Sequence, residues 1–313
     1  MTVTTAPRPG QAADPSGPPG GAGARPGPAR RFSSWLHRNR WARLAALLSA
    51  PMLWLVVAYL GALAVLLVSA LWTVNSFTSQ EVHQASLSNF KTIFTTDVYR
   101  TVTLRSVWVA VAVTVICVVV AVPMAFFMAK VASPRSRRWL VIAILTPLWA
   151  SYLVKVYAWR VMLANGGVFD WILGGPGRGP GYGLTATIIV LSYLWLPYMI
   201  LPVYAGFERL PNSLLEASAD LGARGWRTFR SVVLPTIVPA VIAGSIFTFS
   251  LSLGDYITVE IVGGKYQLLG NIVYRTIGAG GNLPFAAAVA SIPVAIMVIY
   301  LLAVRRSGAL EEL

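Results

Sequence analysis

The chain has 313 residues, of which 56% are hydrophobic and only 12% charged, with 11 Trp and a mean hydropathy of +0.67. A soluble domain carries roughly a quarter charged residues, so this composition excludes a cytosolic enzyme or a disordered regulator and describes a chain dissolved mainly in lipid. One cysteine (Cys117) and two histidines (His37, His83) exclude a disulfide framework and a Cys-rich metal site, and in such a chain a net charge of +14 marks a cytoplasmic membrane face rather than nucleic-acid binding.

In chain order, residues 1–42 come first. The first thirty hold seven Pro, six Gly and no aromatic residue. They cannot bury enough apolar surface to offset their ordering entropy, which predicts a disordered basic tail. The first apolar run starts near Ala45 and is far too long for the core of a cleaved signal peptide, so it is expected to remain as the first span.

Charge-free stretches then predict six membrane helices, at 46–73, 106–129, 140–163, 184–206, 232–254 and 284–304. The third is the weakest, because Lys155 and Arg160 interrupt it. Arginine and lysine collect in 1–43, 130–138, 207–230 and at Arg305 and Arg306, seventeen of the 25 in all. By the positive-inside rule both termini are cytoplasmic in this multi-pass protein. Pro123, Pro147, Pro197, Pro202, Pro239 and Pro293 predict kinks. Gly61, Ala64, Gly244 and Ser245 would let helices approach closely.

Two outer connections stand out. Segment 76–103 carries Phe90, Ile93, Phe94 and Tyr99, able to pack on the membrane face or a partner. Segment 174–181 is Gly/Pro-rich and reads as turn; it lacks the Gly-Lys-Ser or Gly-Lys-Thr ending of a phosphate loop. No hydrolase, zinc-protease or nucleotide-hydrolysing motif occurs, so no catalytic residue and no metal ligand is expected.

The cytoplasmic loop 207–235 carries the most information. Ser213 and Glu216 fit a capping box opening a short helix; Leu214, Ala217 and Leu221 share one face; Gly222 sits where a left-handed stop belongs. A second short amphipathic piece runs from Gly225 or Trp226 through Phe229, and Leu234-Pro235 leads into span five. Docking to a partner and lying in the lipid headgroups, anchored by Trp226 and three arginines, both fit this pattern.

Glu216-Ala217, Gly222, Phe229 and Leu234-Pro235, in this spacing before the penultimate span, resemble the coupling loop of bacterial binding-protein-dependent ABC importer permeases. Ser218 stands where that motif usually has Ala, a small-for-small change. The resemblance covers roughly 50–305. It implies an all-α integral membrane protein with six transmembrane helices and the type I, MetI-like permease fold: a permease domain at 43–305 and a short tail at 306–313. Further stretches are similar to the first permease subunit of spermidine/putrescine systems. They are Lys155-Val156-Tyr157-Ala158-Trp159, Ser252-Leu253-Gly254-Asp255-Tyr256 with Val262-Gly263-Gly264, and Gly270-Asn271 with Pro284-Phe285.

The resemblance implies a non-enzymatic subunit in a bacterial cytoplasmic membrane. Its partners would be two copies of a cytoplasmic ABC ATPase that uses ATP and Mg, a second homologous permease and an extracytoplasmic solute-binding protein. The chain itself binds no cofactor. Glu216, Ala217, Gly222, Phe229, Leu234 and Pro235 then carry the ATPase coupling. For a polyamine, carboxylates and aromatic faces should line the route, which points to Asp255, Tyr256, Tyr157, Trp159, Tyr193, Trp195 and Glu260. Lys155 and Arg160 lie about 140° apart round a helix and would repel a polycation from the route. They fit partner carboxylates, snorkelling, or an anionic or zwitterionic ligand. Another small organic or amino-acid-like solute is the alternative cargo, and an ion-coupled secondary transporter the alternative class.

Overall fold

A computed structural model describes residues 40–75, 78 and 80–306; of the tails expected at 1–42 and 306–313, residues 1–39 and 307–313 lie outside the described residues, while 40–42 and 306 are helical. The chain divides into two compact units, one ending at Ala62 and one beginning at Leu63. In the first, α1 (Arg40–Leu55) passes into a π turn at Val56–Leu60, and Leu47, Leu53 and Trp54 are exposed.

α2 (Gly61–Ser69) carries the chain across that boundary, and in the second unit it is followed by a short hairpin, β1 (Thr73–Val74) with antiparallel β2 (Glu81–Val82). Next come α3 (Ser88–Thr95), α4 (Asp97–Phe126, extended by a π turn to Val131), α5 (Pro134–Trp149), α6 (Tyr152–Leu163) and α7 (Val168–Ile172). Then follow α8 (Leu184–Arg209), α9 (Asn212–Asp220), α10 (Gly225–Thr228), α11 (Leu234–Gly254), α12 (Ile257–Val262), α13 (Leu269–Gly278) and α14 (Leu283–Arg306).

The core is the trio α4, α8 and α11. Along α4, Val109, Val113, Cys117, Ala121 and Ala125 recur every fourth residue and are fully buried against Met199, Ile200, Val203 and Phe207 of α8. That spacing makes one continuous ridge, and its small members let the axes close in. Gly244 acts likewise: a Cβ there would meet the Met199 sulfur at 2.6 Å. Gly61, by contrast, has open space around its Cβ position. The outer aromatic segment packs within the chain, where Ile93, Phe90 and Tyr99 join Leu269, Ile272, Phe285 and Ala288; Phe94 stays exposed.

Among the described residues, five helices are long and apolar enough to cross a membrane singly: Leu47–Ser69, Asp97–Val131, Leu184–Arg209, Gly225–Gly254 and Leu283–Arg305. The third expected span is not one helix. It is α5 and α6, bent by 97° at Ala150-Ser151. Pro147 cannot donate to the Ala143 carbonyl, and three residues later Ala150 leaves the helical region at φ −75°, ψ 142°. The three π turns each lie within five residues of a proline (Pro51, Pro123, Pro235), where a widened turn absorbs the broken ladder.

Candidate functional site

Two regions at opposite ends of the α4–α8–α11 trio hold the sequence-predicted residues. The first is the loop after α8. Lys130 ties it down, donating to the Leu210 carbonyl at 2.6 Å and to Asn212 Oδ1 at 3.0 Å. Arg137 donates to the Met128 and Ala129 carbonyls at 3.1 and 2.9 Å, placing a cation on the end of the extended α4. Tyr204 donates to Glu208, whose carboxylate also faces Arg137 at 3.6 Å.

α9 begins two residues earlier than the capping-box reading requires. Pro211 stands at its N-cap, with no side-chain cap bond, because the extended Pro211 sets the entry and places Ser213 inside the first turn. Glu216 is exposed and makes no hydrogen bond or ion pair among the described residues. The helix end is as expected. Gly222 has φ +75°; its N–H donates to the Ala219 carbonyl at 2.8 Å, and that of Ala223 to the Ser218 carbonyl at 3.1 Å. These two bonds are a Schellman stop. A Cβ at Gly222 meets nothing within this chain, so the demand on glycine is conformational rather than steric.

The second short piece is not separate. Gly225–Gly254 forms one continuous helix through the π turn Phe229–Val233, with Pro235 at the start of α11. Ser218 Oγ and Thr228 Oγ1 lie 2.8 Å apart and pin α9 to it, a role that sequence reasoning did not give Ser218. Leu214, Ala217 and Leu221 rim a shallow hollow of about 390 Å³, with Leu221 88% exposed. Leu215 and Phe229 turn inward to the core, and Leu234 is partly exposed.

The second region lies where two helix breaks meet. α11 ends at Gly254, Asp255 is extended, and α12 starts two residues later. Tyr152 opens α6, directly after the other break. Asp255 is 8% exposed. Its carboxylate accepts from the Tyr152 hydroxyl, from the Thr258 N–H at 2.8 Å and from Thr258 Oγ1 at 3.3 Å, and it has no ion pair among the described residues. Tyr152, Trp195, Asp255 and Tyr256 line a cleft of about 360 Å³, with Tyr152 and Trp195 stacked at 6.0 Å. Three buried polar atoms without a partner among the described residues, Ser192 Oγ, Trp195 Nε1 and Ser252 Oγ, belong to the cleft-ward halves of α8 and α11.

Of the residues named for the route, the structure brings Asp255 and Tyr256 to this cleft. Glu260 is occupied elsewhere: Arg275 Nη2 lies 2.9 Å away, and Asn271 Nδ2 donates to it at 3.0 Å. Trp159 packs with Phe169 and Tyr193 at 5.8 and 5.3 Å, and Tyr157 is exposed; none of these lines the cleft. Neither do Lys155 and Arg160; the Arg160 guanidinium sits 5.9 Å over the Tyr182 ring. Trp195, also named for the route, lines the cleft with Asp255 and Tyr256, whereas Tyr152 is a cleft residue absent from the sequence-based set. A tyrosine beside a helix-breaking Pro/Ser stretch was the available signal.

A third cluster closes the glycine-rich connection. Asp170 is 4% exposed, and its carboxylate accepts N–H bonds from Gly166 (2.7 Å), Gly177 (2.9 Å) and Gly179 (2.6 Å). Those bonds hold it below the ordinary carboxylate range. Among the described residues, no group of three or more His, Cys, Asp or Glu is placed to hold a metal.

Comparison with known proteins agrees with this architecture. Residues 45–307 match the family model described as binding-protein-dependent transport system inner membrane component. The inner membrane ABC transporter permease protein YdcU of Escherichia coli K12 is 42% identical over 299 residues, 90% of this chain and 95% of that one. The spermidine/putrescine transport system permease protein PotB of Haemophilus influenzae is 34% identical over 211 residues, 65% of this chain and 73% of that one. Among solved structures, a bacterial ABC transporter involved in the import of the acidic polysaccharide alginate superposes with TM-score 0.65 at 16% identity. It covers 88% of this chain and 99% of that one, a likeness of fold. The chain thus has the all-α, MetI-like permease fold and, as a non-enzymatic multi-pass transport subunit, belongs to the family of inner-membrane components of binding-protein-dependent ABC importers.

Proposed function

We propose that the chain is the permease for a small organic cation, a polyamine of the spermidine/putrescine type, and that it moves this cargo by alternating access. Both termini are cytoplasmic. Two copies of an ATPase that uses ATP and Mg grip loop 207–235, a second homologous permease completes the pathway, and an extracytoplasmic solute-binding protein delivers the cargo. Glu216, left free, is available to a basic group on the ATPase. The exposed Leu214–Ala217–Leu221 face supplies the apolar contact. The Schellman stop at Gly222 then turns the chain sharply enough for both to be presented.

The observation that carries the cargo assignment is Asp255. It is a buried carboxylate held only by neutral donors, at the wall of a cleft that also carries the rings of Tyr152, Trp195 and Tyr256. A carboxylate without a cation in a low-dielectric site attracts one, and Trp195 and Tyr256 offer ring faces to an ammonium group. Similarity to PotB supports the same class. The unpartnered Trp195 Nε1 favours the second reading, an amino-acid-like solute that brings an acceptor along with its amine.

Proteoliposomes holding the complete transporter, with ATP supplied on the ATPase side, test the assignment. Accumulation of labelled putrescine or spermidine is expected to require the binding protein. Uptake of a neutral or anionic solute with no polyamine uptake would reject it. Gly222→Val should abolish solute-stimulated ATP hydrolysis. Retention of activity by Gly222→Asn, which tolerates the left-handed region, would assign the effect to the turn.

A further inference from the structure

A larger apolar cavity lies away from the cleft. A groove of about 680 Å³ runs between the end of α4, the inner side of α9 and the first turns of the Gly225–Gly254 helix. Val122, Pro123, Phe126, Leu215, Phe229 and Val233 line it, together with alanine and glycine positions of the loop. Its one hydroxyl, on Thr228, is engaged by Ser218. Nothing inside it can recognise a polar group.

Its mouth has the opposite character. Arg224 stands between Ala223 and Gly225, both of which line the groove; Arg230 follows the lining residue Phe229, and Arg227 lines the neighbouring hollow that shares Ala223. All three arginines are exposed, and none has a side-chain hydrogen bond or ion pair among the described residues. Trp226 is 72% exposed and stacked on the groove residue Phe229 at 5.7 Å. Glu216 and Asp220 each stand one residue from a lining position of α9, as the arginines do on their own turns, so the rim carries three cations against two carboxylates. An apolar slot opening onto arginines and an interfacial tryptophan, at the end of membrane-spanning helices, is complementary to one kind of molecule.

We propose that this groove binds an acyl chain of an anionic phospholipid, with the lipid phosphate engaged by Arg224 in the field of Arg227 and Arg230. The lipid would fill the space between the loop helix α9 and α4, bracing the two so that they move together. Apolar filling of such a slot is favourable by area alone, and the arginines supply the preference for a negative headgroup. The proposal does not depend on which solute is carried.

The test is photolabelling of the transporter, assembled with its partner subunits in phosphatidylcholine nanodiscs. The probe is phosphatidylglycerol or phosphatidylcholine with a diazirine on the acyl chain. Labels should concentrate on the peptides bearing Phe126 and Phe229, and more strongly with phosphatidylglycerol. Arg224→Gln, an exposed change that leaves the packing intact, should lower phosphatidylglycerol labelling about fivefold while leaving phosphatidylcholine labelling unchanged. Ala219→Phe, which fills the groove, should remove both. Equal labelling by the two lipids, or labels confined to other surfaces, overturns the proposal. So does capture of a second protein chain by a photoreactive residue at position 126 or 229. None of these outcomes bears on Asp255.

Discussion

Asp170 and Asp255 are both buried carboxylates on the side of the chain away from loop 207–235, yet they are held in different ways. Asp170 accepts three backbone N–H bonds from Gly166, Gly177 and Gly179, so its partners belong to the loop that it shapes. Asp255 accepts from the Tyr152 and Thr258 hydroxyls and one N–H, next to an open cleft. Backbone donors cannot rotate away, whereas a hydroxyl can turn to another acceptor. One carboxylate is therefore locked into architecture and the other can exchange partners with a visiting ammonium group. Burial alone does not separate a functional acid from a structural one; the mobility of its donors does.

The strongest way to break that contrast is Asp255→Asn, which keeps shape and removes charge. Uptake of the labelled polyamine should fall on the order of a hundredfold, the cost of leaving a buried cation unpaired. The thermal unfolding midpoint of the purified transporter should stay within a few degrees. Undiminished uptake would move the cation site elsewhere.

Gly179→Ala probes the other half of the contrast. A Cβ at Gly179 would lie 2.7 Å from the Asp170 carboxylate and 3.3 Å from the Phe169 Cβ. The loop must shift to relieve that overlap, and amide exchange across 166–179 should speed up on the order of tenfold. Uptake should change less than with Asp255→Asn. A greater loss of uptake would make the loop part of the transport path.

Tyr152→Phe sharpens the comparison at the cleft. It removes one of three bonds to Asp255, worth about 1 kcal/mol, so half-saturation for the polyamine should shift about fivefold in either direction. Weaker binding would mean that Tyr152 orients the carboxylate, and tighter binding that it competes with the cargo. No shift would show that Tyr152 is only packing.

How far these features were legible in the sequence follows from what each depends on. Five spans were readable because the membrane demands uninterrupted apolar length, which composition reports directly. The 97° break between α5 and α6 was half legible: Pro147 predicted a kink, but the size of the bend leaves no trace in hydropathy. Gly222 was readable because only its backbone conformation matters. The capping box was misleading: Ser213 and Glu216 have the right types and spacing, but Pro211 and Lys130 set the entry from outside the motif. Tyr152 meets Asp255 across 103 positions, and no local pattern encodes that contact. Asp170 left a fainter signal, an acid beside a glycine-rich run whose N–H groups need an acceptor.

The smallest expected effect is one of pH, and it separates the two acids without any mutation. The native Asp170 carboxylate is held below the ordinary value of 3.8, chiefly by the Gly166 N–H and then by those of Gly177 and Gly179. A depressed native value means that the opened loop takes up a proton more readily than the closed one. The carboxylate's contribution is therefore complete above about pH 4 and is lost as pH falls through the lowered native value. Amide protection across 166–179, corrected for intrinsic exchange, should be level from neutral pH to about 4 and decline below it. Gly179→Ala, whose cage is already displaced, should show a shallower decline. Protection that stayed level through pH 3 would mean that the glycine turns hold the loop closed without the charge, and that the ionised form of Asp170 is dispensable to the fold.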